Sequence, residues 1–419
     1  MSSRSVPGQP RRTLLCLLLL MLTACGGAAT PTAAPAPTVG VPTATTAAVA
    51  ATATLPAPAT AIAPRTASAT ALRATPAAQI RETSTATSAT CGGGVDLLGF
   101  SDALDGARFA DTDVGGLSAL AYDTASGSYR SVVDNEGETP ARVYTLAIPL
   151  TDKGLGTPAV TGITTLRDAA GTPFTGRTSD NEGLTALPNG ELLIASETGP
   201  SIRRFGPDGL LRGELPVPAR FLVAPRGEAT NNLTFESLAL APGGDTLFTA
   251  TEGPLRADGF TTDLRGRLRF LRYRRATGGD FAPDAQFFYL AEPAQGVADL
   301  VALSATDLLV LERGFIPGRG NTIRIFRVSL LGATDEADRE SLAATGIAPL
   351  AKTLLVDLAA CPPGAARTPA QQPTPLLDNF EGLALGPRLA DGRQTLLLIS
   401  DNNFGRDQVT RIVVLAFAP

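Results

Sequence analysis

The sequence predicts an all-β protein folded as a single β-propeller. Three observations lead to this fold class. A strand-turn-strand unit recurs five times along the chain, the segments between the units alternate apolar and polar residues as strands do, and helical periodicity is scarce. The spacing of the units favours six blades, with five and seven as the alternatives.

The repeated unit is clearest at residues 180–199, where two short apolar runs flank a Pro-Asn-Gly sequence at 188–190. This pattern predicts a tight β-hairpin. Paired antiparallel strands bring the start of the first strand beside the end of the second. We therefore expect Glu182 and Glu197 to lie at one rim.

Four further stretches follow the same pattern, at residues 115–136, 232–253, 296–314 and 378–403. Alignment of the five units on their central leucines gives intervals of 67, 54, 62 and 83 residues. Intervals of this length suit four-stranded blades with long loops, and the last could contain a degenerate sixth blade. One propeller spanning 91–419 is therefore preferred over two domains.

The N-terminal 90 residues have a different composition from the rest of the chain. Three arginines precede an apolar run at 14–22 that ends in small residues, which predicts a signal peptide over 1–24. Its ending, Leu-Thr-Ala-Cys, resembles the lipobox of bacterial lipoproteins and implies lipidation of Cys25. An ordinary secretory signal with a chance cysteine is the alternative, and twin-arginine export stays open beside the general route.

Residues 25–90 consist almost wholly of Ala, Thr, Pro, Ser and Val, which predicts a disordered, lipid-anchored stalk. The protein is therefore expected outside the cytoplasm, tethered through its lipid to the outer side of the cytoplasmic membrane or to the cell surface. In such an oxidising compartment Cys91 and Cys361 could form a disulfide, the alternative being two unpaired thiols.

The charge balance excludes several classes of function. The chain has no histidine, which removes His-dependent triads and His-ligated zinc. The first 90 residues hold six arginines and one acid, so residues 91–419 carry 29 basic and 39 acidic side chains. An acidic domain does not suit nucleic acid but does suit a divalent cation. A monomer is expected.

The motifs of the five units, taken in order, resemble the phytase-like family described as "esterase-like activity of phytase". They are G-G-L-S at 115–118, D-N-E-G-L at 180–184, N-x-x-F-E-S-L-A-L at 232–240, V-A-D-L-V-A-L at 297–303 and D-N-F-E-G-L-A-L-G-P at 378–387. The resemblance covers essentially all of 91–419. It implies a β-propeller and a hydrolase of phosphoric esters.

Radial symmetry of the blades should bring the acids of all units to one end of the channel. The acids that open inner strands are Glu182, Glu236 and Glu381, and those that follow partner strands are Asp134, Glu136, Glu197, Glu252 and Asp401. Carboxylates this close together repel one another, so we expect a cation to bind among them. Calcium fits because it accepts many oxygen ligands, amides such as Asn402 included, and magnesium is the second choice.

Arg313 would add a guanidinium to this rim, where it could bind a phosphate group. The predicted function is a cation-dependent phosphoester hydrolase in which Glu182 or Glu236 acts as general base and Arg313 orients a small anionic ligand. A purely structural interpretation is also open. In it the glutamates form hydrogen bonds with the backbone of neighbouring blades, and Arg313 forms an ion pair with an acid. The alternative function is a non-catalytic binding or scaffold propeller.

Overall fold

The computed structural model describes residues 89–135, 137–151 and 154–419. The predicted signal peptide, Cys25 and the stalk up to residue 88 lie outside the described residues, and so does Glu136. The propeller begins with a strand at Ala89, two residues before the predicted domain boundary.

The regular secondary structure of the described residues is almost entirely β-strand, which confirms the predicted fold class. The first ten are β1 (Ala89–Gly92), β2 (Val95–Ser101), β3 (Arg108–Phe109), β4 (Thr112–Asp113), β5 (Ala121–Asp123), β6 (Ser128–Val132), β7 (Arg142–Ala147), β8 (Leu150–Thr151), β9 (Gly154–Leu155) and β10 (Ala159–Thr165). The next eight are β11 (Asn181–Ala186), β12 (Leu192–Ser196), β13 (Ser201–Phe205), β14 (Leu211–Glu214), β15 (Ala239–Leu240), β16 (Thr246–Ala250), β17 (Arg265–Arg274) and β18 (Ala282–Pro293). The last seven are β19 (Gly296–Ala302), β20 (Asp307–Ile316), β21 (Gly320–Ser329), β22 (Ala351–Asp357), β23 (Phe380–Arg388), β24 (Gln394–Ser400) and β25 (Ile412–Phe417). Two 3₁₀ turns, Ala219–Phe221 and Leu358–Ala360, complete the described elements.

These strands form five blades, so the prediction of six was wrong. Blade 1 contains β5, β6, β7 and β10, blades 2, 3 and 4 contain β11–β14, β15–β18 and β19–β22, and blade 5 contains β23, β24, β25, β2 and β1. The 83-residue interval that suggested a sixth blade holds the ten-residue strands β20 and β21 and two long connections, 330–350 and 358–379. Long strands and loops account for its length.

Blade 5 closes the ring with both ends of the described chain. Strand β2 pairs antiparallel with β25, from Val95 opposite Phe417 to Ser101 opposite Ile412. A disulfide between Cys91 and Cys361 ties β1 to the connection after β22. No helix long and apolar enough to cross a membrane occurs in the described part of the chain.

The hydrophobic core is divided into five layers, each between two adjacent blades. Strand β20 shows why. Leu308 and Val310 face the layer shared with blade 3, whereas Leu309 and Leu311 face the layer shared with blade 5. Side chains alternate between the two faces of a strand, so a strand packed on both faces is apolar at every position. This explains the continuous apolar runs of the repeats.

Neighbouring inner strands approach closely near the channel. A Cβ atom on Gly183 would lie 2.6 Å from the backbone carbon of Ser237 in blade 3, so this position requires glycine. Between blades 4 and 5 a buried carboxylate makes the link: Asp299 accepts hydrogen bonds from the backbone N–H groups of Leu300 (2.8 Å) and Leu383 (2.7 Å). The glycine and the aspartate therefore have structural roles.

Candidate functional site

One end of the central channel opens into a polar cavity of about 380 Å³. It is lined by eight carboxylates (Asp134, Asp180, Glu182, Glu197, Glu236, Glu252, Glu381 and Asp401), by Arg313 and Phe315, and by the amides Asn232, Asn321, Asn379, Asn403 and Gln408. Among the described residues of this lining, Arg313 is the only cation. We call this cavity the acidic mouth.

Three of the carboxylates stand at the beginning of inner strands. Glu182 and Glu381 each lie at a β-bulge, where the register with the second strand of the blade shifts by one residue. Bulges redirect side chains and are common next to functional sites. Blade 4 has the same bulge but carries Ala298 there, so it contributes no carboxylate at this level.

A second set of carboxylates follows the second strand of blades 2, 3 and 5. The backbone N–H of Glu197 donates to Asp180 O at 2.8 Å, and that of Asp401 donates to Asn379 O at 2.9 Å. Glu252 makes the equivalent bond in blade 3. The same local geometry therefore places an acid from each of these blades beside the glutamate of the inner strand, as the hairpin pattern predicts.

Arg313 occupies the corresponding position of blade 4. Its Nη2 atom lies 3.0 Å from Glu252 Oε1 and 3.3 Å from Glu381 Oε1, and its Nη1 donates to Asn379 at 2.7 Å. Its Nε is buried without a hydrogen-bond partner. Burial opposes the charged form, but the carboxylates of Glu381 and Glu252 raise the pKa of Arg313. The guanidinium of Arg313 therefore keeps its positive charge, and this charge lies between Glu252 of blade 3 and Glu381 of blade 5.

Glu182 and Glu236 are the least compensated acids of the mouth. They are 7% and 8% exposed, and neither carboxylate is hydrogen-bonded or ion-paired to any described residue. Burial raises the pKa of both well above the usual range of a glutamate, and neighbouring carboxylates, Glu236 for the first and Glu252 for the second, raise it further. Arg313 lowers the pKa of Glu236 but does not cancel the shift, so the surrounding side chains compensate the ionised forms only in part.

Asp134 and Glu197 show the same effect. Burial raises the pKa of Asp134 to about 9, and a hydrogen bond with Asp180 adds to the shift. Burial also raises the pKa of Glu197 to about 7, although the backbone N–H of Thr234 donates to this carboxylate and opposes the shift. Two carboxylates that share a proton are a mark of crowded negative charge.

The oxygens best placed for a cation belong to Asp134, Asp180 and Glu182. One ligand atom from each lies within 4.8 Å of the others. Carboxylate oxygens are the ligands that calcium and magnesium prefer, and calcium tolerates irregular geometry. Arg313 contacts acids of other blades, so these three carboxylates have no basic neighbour among their described contacts. The residues present therefore fit a divalent cation.

The structure brings most of the predicted site residues together. Those that line the mouth are Glu182, Glu236, Arg313, Glu381, Glu197, Glu252, Asp134 and Asp401. Asn402 lies outside this lining, because its Oδ1 accepts from the backbone N–H groups of Gly116 and Phe404. The position of Glu136 is outside the described residues.

Sequence reasoning missed Asp180 and Asn379. Each precedes an inner-strand glutamate by two residues, in D-N-E-G at 180–183 and N-F-E-G at 379–382. Residues two apart along an extended chain point to the same side. This two-residue spacing is the sequence signal that indicates Asp180 and Asn379 as site residues. The same spacing indicates Phe315, which follows Arg313 by two residues on β20.

The fold and the site define a five-bladed β-propeller with a carboxylate-lined cavity at one end of its channel. The chain belongs to the phytase-like family described as esterase-like activity of phytase, which matches residues 112–404. No curated protein sequence matches it.

Solved structures with a similar arrangement are distant. The PQQ-bound aldose sugar dehydrogenase of Streptomyces coelicolor is 15% identical, with 78% of this chain and 91% of that chain covered and a TM-score of 0.33. The endo-arabinase of Bacteroides thetaiotaomicron is 10% identical, with 71% and 93% covered and a TM-score of 0.36. A tail fibre of a Staphylococcus aureus phage is 12% identical at a TM-score of 0.34, with 77% of this chain covered, and this chain spans 53% of its length.

Proposed function

We propose that the protein is a divalent-cation-dependent hydrolase of phosphoric esters, with its active site in the acidic mouth. The observation that carries the proposal is the imbalance of charge: eight carboxylates surround one cavity, and one arginine faces them. Membership of the phytase-like family supports this reaction class. A bound cation would reduce the repulsion among the carboxylates and would attract an anionic substrate into the cavity.

Asp134, Asp180 and Glu182 would hold the cation, with calcium first and magnesium second. When bound, such a cation neutralises phosphoryl oxygens and increases the acidity of a nearby water. The protein itself would hold the oxygens of these three carboxylates in place. No cationic side chain among their described contacts would compete with the metal ion for them.

Arg313 would orient the phosphoryl group through its guanidinium, whose Nη2 already faces the carboxylate oxygens of Glu252 and Glu381. Glu236 is our candidate for the general base, and Glu182 is the other. Glu236 would take a proton from the attacking water as the new P–O bond forms and the P–O bond to the ester oxygen breaks, and the departing oxygen would take a proton from solvent to give the alcohol. A carboxylate whose pKa is raised by burial is a stronger base than an exposed one.

A second function is favoured by one observation. The Nη atoms of Arg313 donate hydrogen bonds to Asn379 and Glu252 and form an ion pair with Glu381, so binding of a phosphate by Arg313 requires these contacts to rearrange. A cation-dependent binding propeller without turnover needs no such rearrangement. Calcium binding without hydrolysis would favour this alternative.

The test is release of p-nitrophenol from p-nitrophenyl phosphate in calcium and in a chelator. We expect turnover only with calcium and a loss of about 100-fold or more in Glu236→Gln. Glu214→Gln is the matched control, because Glu214 is half exposed on the outer strand of blade 2. Calcium-independent turnover, or full activity in Glu236→Gln, would contradict the proposed site.

We also propose that the protein is anchored outside the cytoplasm through a lipid on Cys25. The lipobox-like sequence supports this, and so does the disulfide between Cys91 and Cys361, since disulfides persist in oxidising compartments. Incorporation of labelled palmitate into the wild-type chain, and its loss in Cys25→Ser, tests the anchor. Equal labelling of both chains would exclude it.

A further inference from the structure

Phe315 stands out in the acidic mouth because it is apolar. Every other described residue of the lining is charged or carries an amide. Its side chain is 61% exposed. A single exposed phenylalanine on a protein surface needs no explanation, but a phenylalanine at the entrance of a charged cavity is placed where a ligand must pass.

The hairpin that carries Phe315 is held firmly. Phe315 pairs with Asn321 across β20 and β21, and the backbone N–H of Asn321 donates to Gln372 Oε1 at 2.7 Å. At Gly320, where φ is +97°, a Cβ atom would strike the carbonyl oxygen of Gln371. The connection that follows blade 4 therefore packs against the hairpin and fixes the backbone that carries Phe315.

Arg313 and Phe315 are two residues apart on β20, so their side chains project to the same side of the strand, about 7 Å apart. Both line the acidic mouth. Arg313 is 19% exposed and lies deeper, whereas Phe315 lies at the opening. A phosphoryl group held at Arg313 would thus direct its organic substituent outwards, onto the ring of Phe315.

We infer that the acidic mouth selects phosphoesters whose alcohol part is aromatic or otherwise apolar, and that Phe315 is the residue that makes this selection. The inference rests on the proposed phosphate-binding role of Arg313. An apolar substituent buries the exposed ring and gains contact with it, whereas a polyol phosphate, which is hydrophilic on all sides, gains nothing there.

The test uses phosphonates, which cannot be hydrolysed, so it does not depend on turnover. Binding of phenylphosphonate and methylphosphonate is measured by calorimetry in calcium-containing buffer. We expect the wild-type protein to bind phenylphosphonate about three- to tenfold more tightly, and Phe315→Ser to lose that preference while methylphosphonate binding stays unchanged. Phe260→Ser is the matched control, because Phe260 is 55% exposed and does not line the mouth.

The outcomes separate the two proposals. A wild-type preference that disappears only in Phe315→Ser supports the inference, even if p-nitrophenyl phosphate is never hydrolysed, in which case only the hydrolase proposal fails. An unchanged preference in Phe315→Ser overturns the inference. Equal binding of the two phosphonates by the wild-type protein, or no binding of either, also overturns it.

Discussion

Arg313 Nη2 lies 3.0 Å from Glu252 Oε1, and this ion pair joins blade 4 to blade 3 at the acidic mouth. Both side chains are 19% exposed, so solvent screens the pair only in part. Removal of one partner from a largely buried pair leaves an uncompensated charge behind. The arginine is therefore expected to stabilise the contact between these two blades, in addition to its proposed role in ligand binding.

Arg313→Met is expected to destabilise the calcium-free protein by about 3 kcal/mol, because Glu252 and Glu381 lose their counter-ion. Urea denaturation in a chelator measures the change in the free energy of unfolding. Arg212→Met is the control, since Arg212 pairs with Asp208 at the exposed surface and should change stability by less than about 1 kcal/mol. Equal effects of the two variants would show that the mouth does not need its arginine.

Asp180→Asn is expected to weaken calcium binding by about tenfold or more, because it removes one charge from the three carboxylates that lie within 4.8 Å of one another. Calorimetric titration with calcium measures the dissociation constant. Asp391→Asn, in an exposed turn of blade 5, should bind as the wild type does. Unchanged affinity in Asp180→Asn would place the cation elsewhere.

The calcium-free protein is expected to lose stability as the pH rises. The pKa values of Glu197 and Asp134 are raised to about 7 and about 9 in the folded protein, so the folded state binds more protons than the unfolded state above pH 4.5. The stabilisation is complete below the unfolded pKa values and is lost as the pH rises through 7 and 9. Urea midpoints at pH 5, 7 and 9 in a chelator should fall in that order, and calcium should reduce the fall. A midpoint that rises with pH would contradict the assignment.

Asp299→Ala is expected to cost about 3 kcal/mol, because two buried backbone N–H groups, on Leu300 and Leu383, lose their acceptor. Asp299→Asn keeps one acceptor oxygen and should fall between the alanine variant and the wild type. Thermal unfolding of the three proteins measures the order. If the alanine variant matches the wild type, the carboxylate does not link blades 4 and 5.

The repeats predicted much of this molecule because strand alternation and turn chemistry are local. The hairpin around the turn at 188–190 and the meeting of Glu182 with Glu197 at one rim follow from antiparallel pairing alone. The number of blades did not follow, because chain length does not distinguish long strands and loops from an additional sheet. The interval from Leu300 to Leu383 contains both.

Within the site, the contacts between blades were the part that sequence could not supply. The ion pairs of Arg313 with Glu252 and Glu381 join residues 61 and 68 positions apart, and no local pattern encodes them. Asn402 is a second example: it follows Asp401 in the sequence, but its side-chain oxygen accepts from the backbone N–H of Phe404, two residues later, and from that of Gly116, 286 residues earlier. Only the first of these contacts belongs to a local turn.

The pairing of β2 with β25 gives the ring an order of assembly. Ser101 of β2 pairs with Ile412 of β25, which is synthesised much later. At a ribosomal rate of 5–20 residues per second, β2 therefore stays without this partner for roughly 15 to 60 s. During that time its edge can pair with other chains. Biosynthesis therefore keeps the propeller open until β25, the last strand of the closing blade, has been synthesised.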